Sequence, residues 1–262
     1  MRVLSLCSSS KANCTYIEHK GEAVLVDIGC SYKALCEGLT AAGRDVSSIK
    51  AVFITHEHID HINGLLTLSK RLDIPVYGSE GTLTAIESKG KISPKADLRL
   101  ISDIGSAPVN FGASAFRTPH DSAESNGYTF TYGDTKIGIC TDLGHVTQEV
   151  REALTGSKFV LLESNYDLGM ITRNLVYPEV VKQRIRSDIG HLSNGDSASF
   201  ARELIKAGAT SLMLGHLSPE NNTPEIAFGN MVSALRASGI ELDRDYFLTV
   251  AKVQGDGKAV AV

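Results

Sequence analysis

The sequence predicts an α/β protein, one domain over residues 1–262, that could form two sheets packed face to face with helices on their outer sides. Three observations lead there. Strand and helix signals alternate, and each half of the chain carries about half a dozen strand signals plus helices. No linker, repeat or low-complexity run divides a length that suits one large domain or two small ones. The 42% apolar content is enough for a sizeable core and excludes a disordered protein. Periodicity alone leaves a plain α/β layered fold equally open.

The elements follow in order. Apolar runs predict short strands over 3–6, 15–18 and 24–27. A helix over 32–42 has Ser31 placed to cap it and Gly43 to stop it. An apolar strand over 51–54 runs directly into a polar cluster, and a helix over 65–72 and a strand over 74–77 come next. The middle reads as strands over 98–101, 114–117, 128–132 and 136–140, the last two flanking the turn signal Gly133-Asp134-Thr135. After Asp142 come helices over 147–154, 178–186, 196–207 and 226–237 and strands over 159–162, 211–214 and 247–253. Gly208 and Gly239 end the last two helices.

Composition narrows the function classes. Lysine and arginine number 26 against 30 Asp and Glu, a net charge of −4, so any nucleic-acid contact must come from a local patch. Five cysteines without a CxxC argue against a disulfide framework or a cysteine zinc site. There is no signal-peptide pattern, and no apolar run approaches the roughly 20 residues of a membrane span. The expected setting is the cytoplasm, with free thiols and no membrane partner.

The chemistry concentrates in Thr55-His56-Glu57-His58-Ile59-Asp60-His61, directly after an apolar strand. A single histidine is usually a core or surface residue, but three with an aspartate at this density are N/O ligands for zinc, manganese or iron. His56 and His58 alternate, so an extended strand end points both the same way. Asp60 and His61 lie on the turn into the next helix and can serve an adjacent position. Two ligand pairs make a natural start for a two-metal site.

The run His56-x-His58-x-Asp60-His61 resembles the signature of the metallo-β-lactamase fold superfamily of hydrolases. Its other motifs are matched in order by Asp27-Ile28-Gly29, Thr118-Pro119-His120, Cys140-Thr141-Asp142 and Gly215-His216. The resemblance covers essentially the whole chain and implies a four-layer αββα sandwich. It also implies that one divalent metal is held by His56, His58, His120 and Asp142, and a second by Asp60, His61, Asp142 and His216. Asp27 would stand behind the ligands. A water between two such ions roughly 3.5–4 Å apart is hydroxide at neutral pH, with Asp60 placed to orient it.

The nuclease and phosphodiesterase branches of that superfamily place a catalytic histidine, not a ligand, where His191 stands, oriented by a glutamate where Glu163 stands. His191 is thereby implied to be a general acid or a phosphate clamp. His19 reads as surface and His145 as loop. Leu6-Cys7-Ser8-Ser9-Ser10, Asn13-Cys14, Glu163-Ser164-Asn165-Tyr166-Asp167, Tyr177-Pro178 and Gly190-His191-Leu192-Ser193-Asn194 together resemble the YycJ/WalJ subfamily, described as DNA exonucleases acting 5′ to 3′. Two positions depart from its pattern: Tyr166 stands where histidine is usual, and Lys11-Ala12 interrupts the first motif, which usually has glycine.

The expected function is therefore a dinuclear metal phosphodiesterase, with DNA or another phosphodiester as substrate. Ser9, Asn13, Arg173, Lys182 and Arg184 are the candidate substrate contacts. With Arg186, the last three form a basic cluster opposed by Glu179 and Asp188, which could follow a phosphate backbone or be an ordinary solvated helix face. The alternatives are a small-molecule hydrolase (a cyclic-nucleotide phosphodiesterase, thioesterase or lactamase) and a non-catalytic metal-folded regulator. Asp142 in the bridging position disfavours a lactamase with a cysteine ligand, and an intact ligand set disfavours the regulator.

Overall fold

The computed structural model describes residues 1–255 and 257–262. The first sheet opens with β1 (Arg2–Ser9), β2 (Ala12–His19) and β3 (Glu22–Val26), an antiparallel meander. Helix α1 (Tyr32–Ala41) leads to β4 (Ile49–Phe53). The short α2 (Ile59–Ile62) and α3 (Leu65–Arg71) lead to β5 (Val76–Gly78), and α4 (Glu80–Ser88) precedes β6 (Leu98–Leu100). Strands β3 to β6 are parallel neighbours.

The second sheet begins with β7 (Gly112–Arg117), β8 (Asn126–Tyr132) and β9 (Thr135–Cys140), again antiparallel. Helix α5 (Gln148–Leu154) precedes β10 (Phe159–Glu163). Then come α6 (Leu168–Arg173), α7 (Glu179–Ile185), α8 (Asn194–Lys206), β11 (Ser211–Gly215), α9 (Pro224–Arg236) and β12 (Phe247–Val250). Strands β9 to β12 are parallel, and β13 (Val260–Ala261) returns to pair with β1. The orders are β13-β1-β2-β3-β4-β5-β6 and β12-β11-β10-β9-β8-β7.

Strand alternation builds the layers. Val24 and Val26 face the other sheet, where they join Phe53, Tyr128, Phe130, Phe159 and Leu161. Ala23 and Leu25 point the opposite way, into a core with Leu35 and Leu39 of α1, Leu65 and Leu68 of α3 and Ile86 of α4. On the far side, Val160 and Leu162 pack with Val150 of α5, Phe200 and Leu204 of α8 and Met231 of α9. The period of two thus divides each strand between an inner and an outer core, and burial on both faces explains the continuous apolar runs. The four-layer αββα arrangement follows from these three cores.

Most expected elements form within a residue or two of their predicted ends. Ser31 caps α1 by accepting from the Ala34 amide, and Gly43 ends it at φ +67°. The β8–β9 hairpin is tighter than the sequence suggested: Thr135 pairs with Tyr132, so the turn is Gly133-Asp134 alone. The strand expected to reach 253 ends at Val250, because the chain then crosses to β1, where the Ser8 amide donates to the Lys252 carbonyl at 3.0 Å. Helices α4 and α6 were not anticipated. Both are short and contain glycine, and side-chain caps from Ser79 and Asp167 start them.

The parallel strands end on one side, and the chain turns sharply there. Asp27, Asp142 and His216, at or just beyond the ends of β3, β9 and β11, adopt left-handed backbone with φ of +60°, +57° and +56°. Such a conformation costs a non-glycine residue about 1–3 kcal/mol and clusters at functional sites. Gly29 provides the close approach: a Cβ there would lie 1.6 Å from the Asp60 carbonyl oxygen. Its absence lets the loop after β3 press on the turn that carries Asp60 and His61.

Candidate metal centre

His56 and His58 follow β4, and Asp60 and His61 sit in α2. His120 lies beyond β7, Asp142 beyond β9, and His216 directly after β11. Every ligand expected from the sequence is therefore at the same end of the two sheets. Among the described residues the side chains converge in four overlapping sets, two of which are His56, His61 and Asp142, and Asp142, Glu163, His191 and His216. Donor atoms of His56, His58 and His120 lie within 4.8 Å of one another, as do those of Asp60, His61 and His216. Asp142 lies between: its Oδ2 is 3.2 Å from His61 Nε2 and its Oδ1 is 3.6 Å from His120 Nε2.

Hydrogen bonds to the opposite ring nitrogens fix which nitrogen each histidine presents. His61 Nδ1 lies 2.7 Å from Asp27 Oδ2, His56 Nδ1 3.0 Å from Thr55 Oγ1, and His120 Nδ1 3.1 Å from the Gly190 carbonyl. His216 Nδ1 lies 2.7 Å from Glu163 Oε1. The Nε2 atoms of these four histidines are thereby left to face the cluster, the arrangement in which metal-binding imidazoles are held by an outer acceptor. Asp27 also accepts from the Thr55 amide and hydroxyl, both at 2.8 Å, which ties the strand end to the first ligand.

The cluster suits a divalent cation. His56 Nε2, His216 Nε2 and Asp142 Oδ2 are buried without a hydrogen-bond partner. Buried polar atoms in proteins are mostly paired, and these three orphans belong to side chains of one cluster, which suits an ion. The spacings agree. His58 Nδ1 to His120 Nε2 is 3.3 Å, His61 Nε2 to Asp60 Oδ2 3.3 Å, and His216 Nε2 to Asp60 Oδ2 3.5 Å. Ligands roughly 2.1 Å from a tetrahedral ion stand roughly 3.4 Å apart. Burial would push the Asp142 carboxyl up, yet His216, His61 and His56 hold it well below the usual range. It is therefore an anion available to cations.

Glu163 and His191 are adjacent to this cluster. His191 Nδ1 lies 2.9 Å from Glu163 Oε1, leaving Nε2 of a partly exposed ring free to act. Glu163 itself is fully buried, and its Oε2 accepts the Leu143 and Leu192 amides at 2.9 and 3.0 Å. Burial opposes its charge, but His191 and His216 bring its carboxyl down to about 2. The sequence reading gave Glu163 one partner, His191; the fold gives it a second, His216.

The expected substrate contacts fare differently. Asn13 is at the centre, with Nδ2 3.1 Å from His61 Nε2 and 3.4 Å from Asp60 Oδ2. Ser9 is buried behind it and accepts from the Lys11 amide at 3.2 Å. Lys182 departs from the solvated basic face: its residue is only 8% exposed, and Nζ lies between the Thr172 carbonyl at 3.5 Å and Glu179 at 3.9 Å. Its stem packs inward, so it is not available to a strand of phosphates. Arg184 is bound to Asp121 beside His120, and Arg186 to Glu179, so both cations are already matched by carboxylates. Arg173 is exposed at the end of α6. His19 is half-buried against the Tyr132 ring, and His145 lies in the loop after Asp142 as expected.

Comparison with known proteins agrees with this architecture. The family model described as "Beta-lactamase superfamily domain" matches residues 23–217. The chain belongs to this superfamily. Among relatives, it is 33% identical over 237 residues to "Exodeoxyribonuclease YycJ" of Bacillus anthracis, covering 89% of each chain. It is 31% identical to "Exodeoxyribonuclease WalJ" of Streptococcus pneumoniae, covering 92% of this chain and 90% of that one. Among solved structures, zinc-bound PqqB from Methylobacterium extorquens superposes with a TM-score of 0.74 at 15% identity over the whole of both chains.

Proposed function

We propose that this protein is a metal-dependent phosphodiesterase that degrades DNA from an end, 5′ to 3′, in the cytoplasm, as one domain over residues 1–262. Two divalent ions, zinc, manganese or iron, would be held by His56, His58, His120 and Asp142 and by Asp60, His61, Asp142 and His216. The observation that carries the reading is the buried orphan set, His56 Nε2, His216 Nε2 and Asp142 Oδ2, beside a carboxylate-held histidine. The bacterial relatives named as exodeoxyribonucleases support DNA as the substrate. No helix among the described residues is long and apolar enough to cross a membrane.

Bound ions of this kind polarise a phosphoryl oxygen and make water nucleophilic at neutral pH. The chain's own groups then divide the remaining work. Asp60, whose side chain is partly exposed, orients the attacking water, and the water's proton leaves to solvent. His191 donates from Nε2 to the leaving oxygen, and Glu163 keeps its ring in the necessary tautomer. Asn13 can donate an amide hydrogen to a phosphate oxygen beside Asp60.

Incubation of metal-loaded protein with single-stranded DNA labelled at either end tests this reading. Progressive loss from the 5′ end is expected, with EDTA abolishing it. Intact DNA in the presence of turnover of bis(4-nitrophenyl) phosphate would make it a small-ester hydrolase instead.

Glu163→Gln should be costly on two counts. Four donors converge on the carboxylate, and an amide turns one acceptor into a clashing donor, a loss of about 1–3 kcal/mol per group left unpaired. The expected result is a metal content below two equivalents together with slower turnover. Unchanged metal content would mean that the contact to His216 does not support that ligand.

A further inference from the structure

Three cysteines that the phosphodiesterase chemistry does not use meet where β1, β2 and the loop after β3 come together. Cys7 of β1 and Cys14 of β2 are directly opposed across the strand pair, and both are buried. Cys30 follows β3 and packs, half-buried, against the same core. The Cys14 and Cys7 thiols both hydrogen-bond to the Cys30 sulfur, which holds the Cys30 thiol well below its usual range. Donation to Cys30, together with burial, pushes Cys14 and Cys7 up. Cys30 is therefore the nucleophile of the three and also the one that solvent reaches. Of the other two cysteines, Cys140 is fully buried and Cys36 is hydrogen-bonded to Tyr32. The loop that carries Cys30 is stitched to the candidate metal centre. The Gly29 amide donates to the Asn13 carbonyl at 2.7 Å, and the Ile28 amide to the His61 carbonyl at 2.8 Å. A Cβ on Gly29 would lie 2.6 Å from the Asn13 nitrogen, so these segments have no slack. Asn13, next to Cys14 in the chain, is the residue whose side-chain amide reaches Asp60 and His61.

We propose that Cys30 is a site of oxidation by hydroperoxides, which closes a disulfide with Cys14 and slows the metal centre. The disulfide stands apart from the phosphodiesterase reading, and only its effect on turnover rests on that reading. The Cys30 sulfur attacks one oxygen of the peroxide and the O–O bond breaks. The leaving hydroxide takes up the proton given by the Cys30 thiol and becomes water, and Cys30 is left as a sulfenic acid. The Cys14 sulfur then attacks the Cys30 sulfur and the S–O bond breaks. The hydroxide that leaves takes the Cys14 proton and becomes a second water. Two electrons have passed from the two sulfurs to one peroxide. Cys14 is the partner because its hydrogen bond does most to lower the Cys30 thiol. A covalent bond draws the two sulfurs together. Gly29 is already against Asn13, so the start of β2 shifts and takes the Asn13 amide off Asp60 and His61. A displacement of about 1 Å beside reacting groups can cost about 10²-fold in rate.

Peptide mapping of zinc-loaded protein, treated with hydrogen peroxide and then blocked with iodoacetamide, tests the site directly. Trypsin cuts after Lys11, Lys20 and Lys33, so Cys7, Cys14 and Cys30 leave on separate peptides. A linked pair of the peptides 12–20 and 21–33 is expected, and dithiothreitol should separate it. Turnover of bis(4-nitrophenyl) phosphate should fall about tenfold or more on oxidation and return on reduction. Cys30→Ser should keep the turnover of the reduced parent and lose its response to peroxide. Cys7→Ala should still form the link. Melting temperatures check both variants, and mapping of the parent alone decides if either unfolds. A link that includes Cys7, or Cys30 recovered as a free thiol, overturns the proposal. The expected link with unchanged turnover overturns its effect on the metal centre. The expected link in a protein that hydrolyses no phosphodiester before oxidation keeps the oxidation site and overturns the phosphodiesterase reading.

Discussion

Asp142→Ala should strip the protein of both ions and leave no measurable phosphodiester cleavage. Asp142 sits between the two ligand sets, one oxygen turned to His61 and the other to His120. It is 1% exposed and has left-handed backbone. Its removal leaves five buried or half-buried imidazoles with one fewer negative charge to offset two cations. Holding two cations in a low-dielectric pocket is then unfavourable by several kcal/mol. Elemental analysis of purified variant and parent checks this: the parent should approach two equivalents and the variant almost none. Retention of one tightly held ion by Asp142→Ala would mean that the aspartate serves a single position and does not bridge.

The candidate ligand cluster was legible because so much of it is contiguous. His56, His58, Asp60 and His61 fall within six residues after an apolar strand, and the order of the later motifs supplied His120, Asp142 and His216. The layers were legible for a related reason: strands buried on both faces read as apolar runs, and the cap at Ser31 marks a helix start. What the sequence did not reveal depends on contacts between distant segments. Glu163 meets His216 across 53 positions, and Asn13 meets His61 across 48. The burial of Lys182 depends on α6 folding over α7, and α6 itself is six residues with a glycine, too short to show a period. A basic helix face read from spacing alone therefore looked solvated when one of its cations had turned inward.

His191→Ala should lower turnover by about 10²–10⁴-fold while leaving metal content unchanged. The ring is held by Glu163 through Nδ1 and is partly exposed, so Nε2 is the atom that substrate can reach. Its removal takes away the proton donor for the leaving oxygen but none of the donor atoms that converge with Asp60, His61 and His216. The loss should shrink sharply for an ester whose leaving group is a good one, such as 4-nitrophenolate, because little protonation is then needed. An equal loss on both esters would argue against general-acid catalysis. A loss of metal would make His191 a ligand and would recast the role of Glu163.

The most direct test of the whole account is a crystal of the protein grown with manganese and measured for anomalous scattering. Two peaks about 3.5–4 Å apart are expected, one among His56, His58 and His120 and one among Asp60, His61 and His216, with Asp142 touching both. A single peak, or a peak that engages Glu163 and His191 in place of His216, would contradict it.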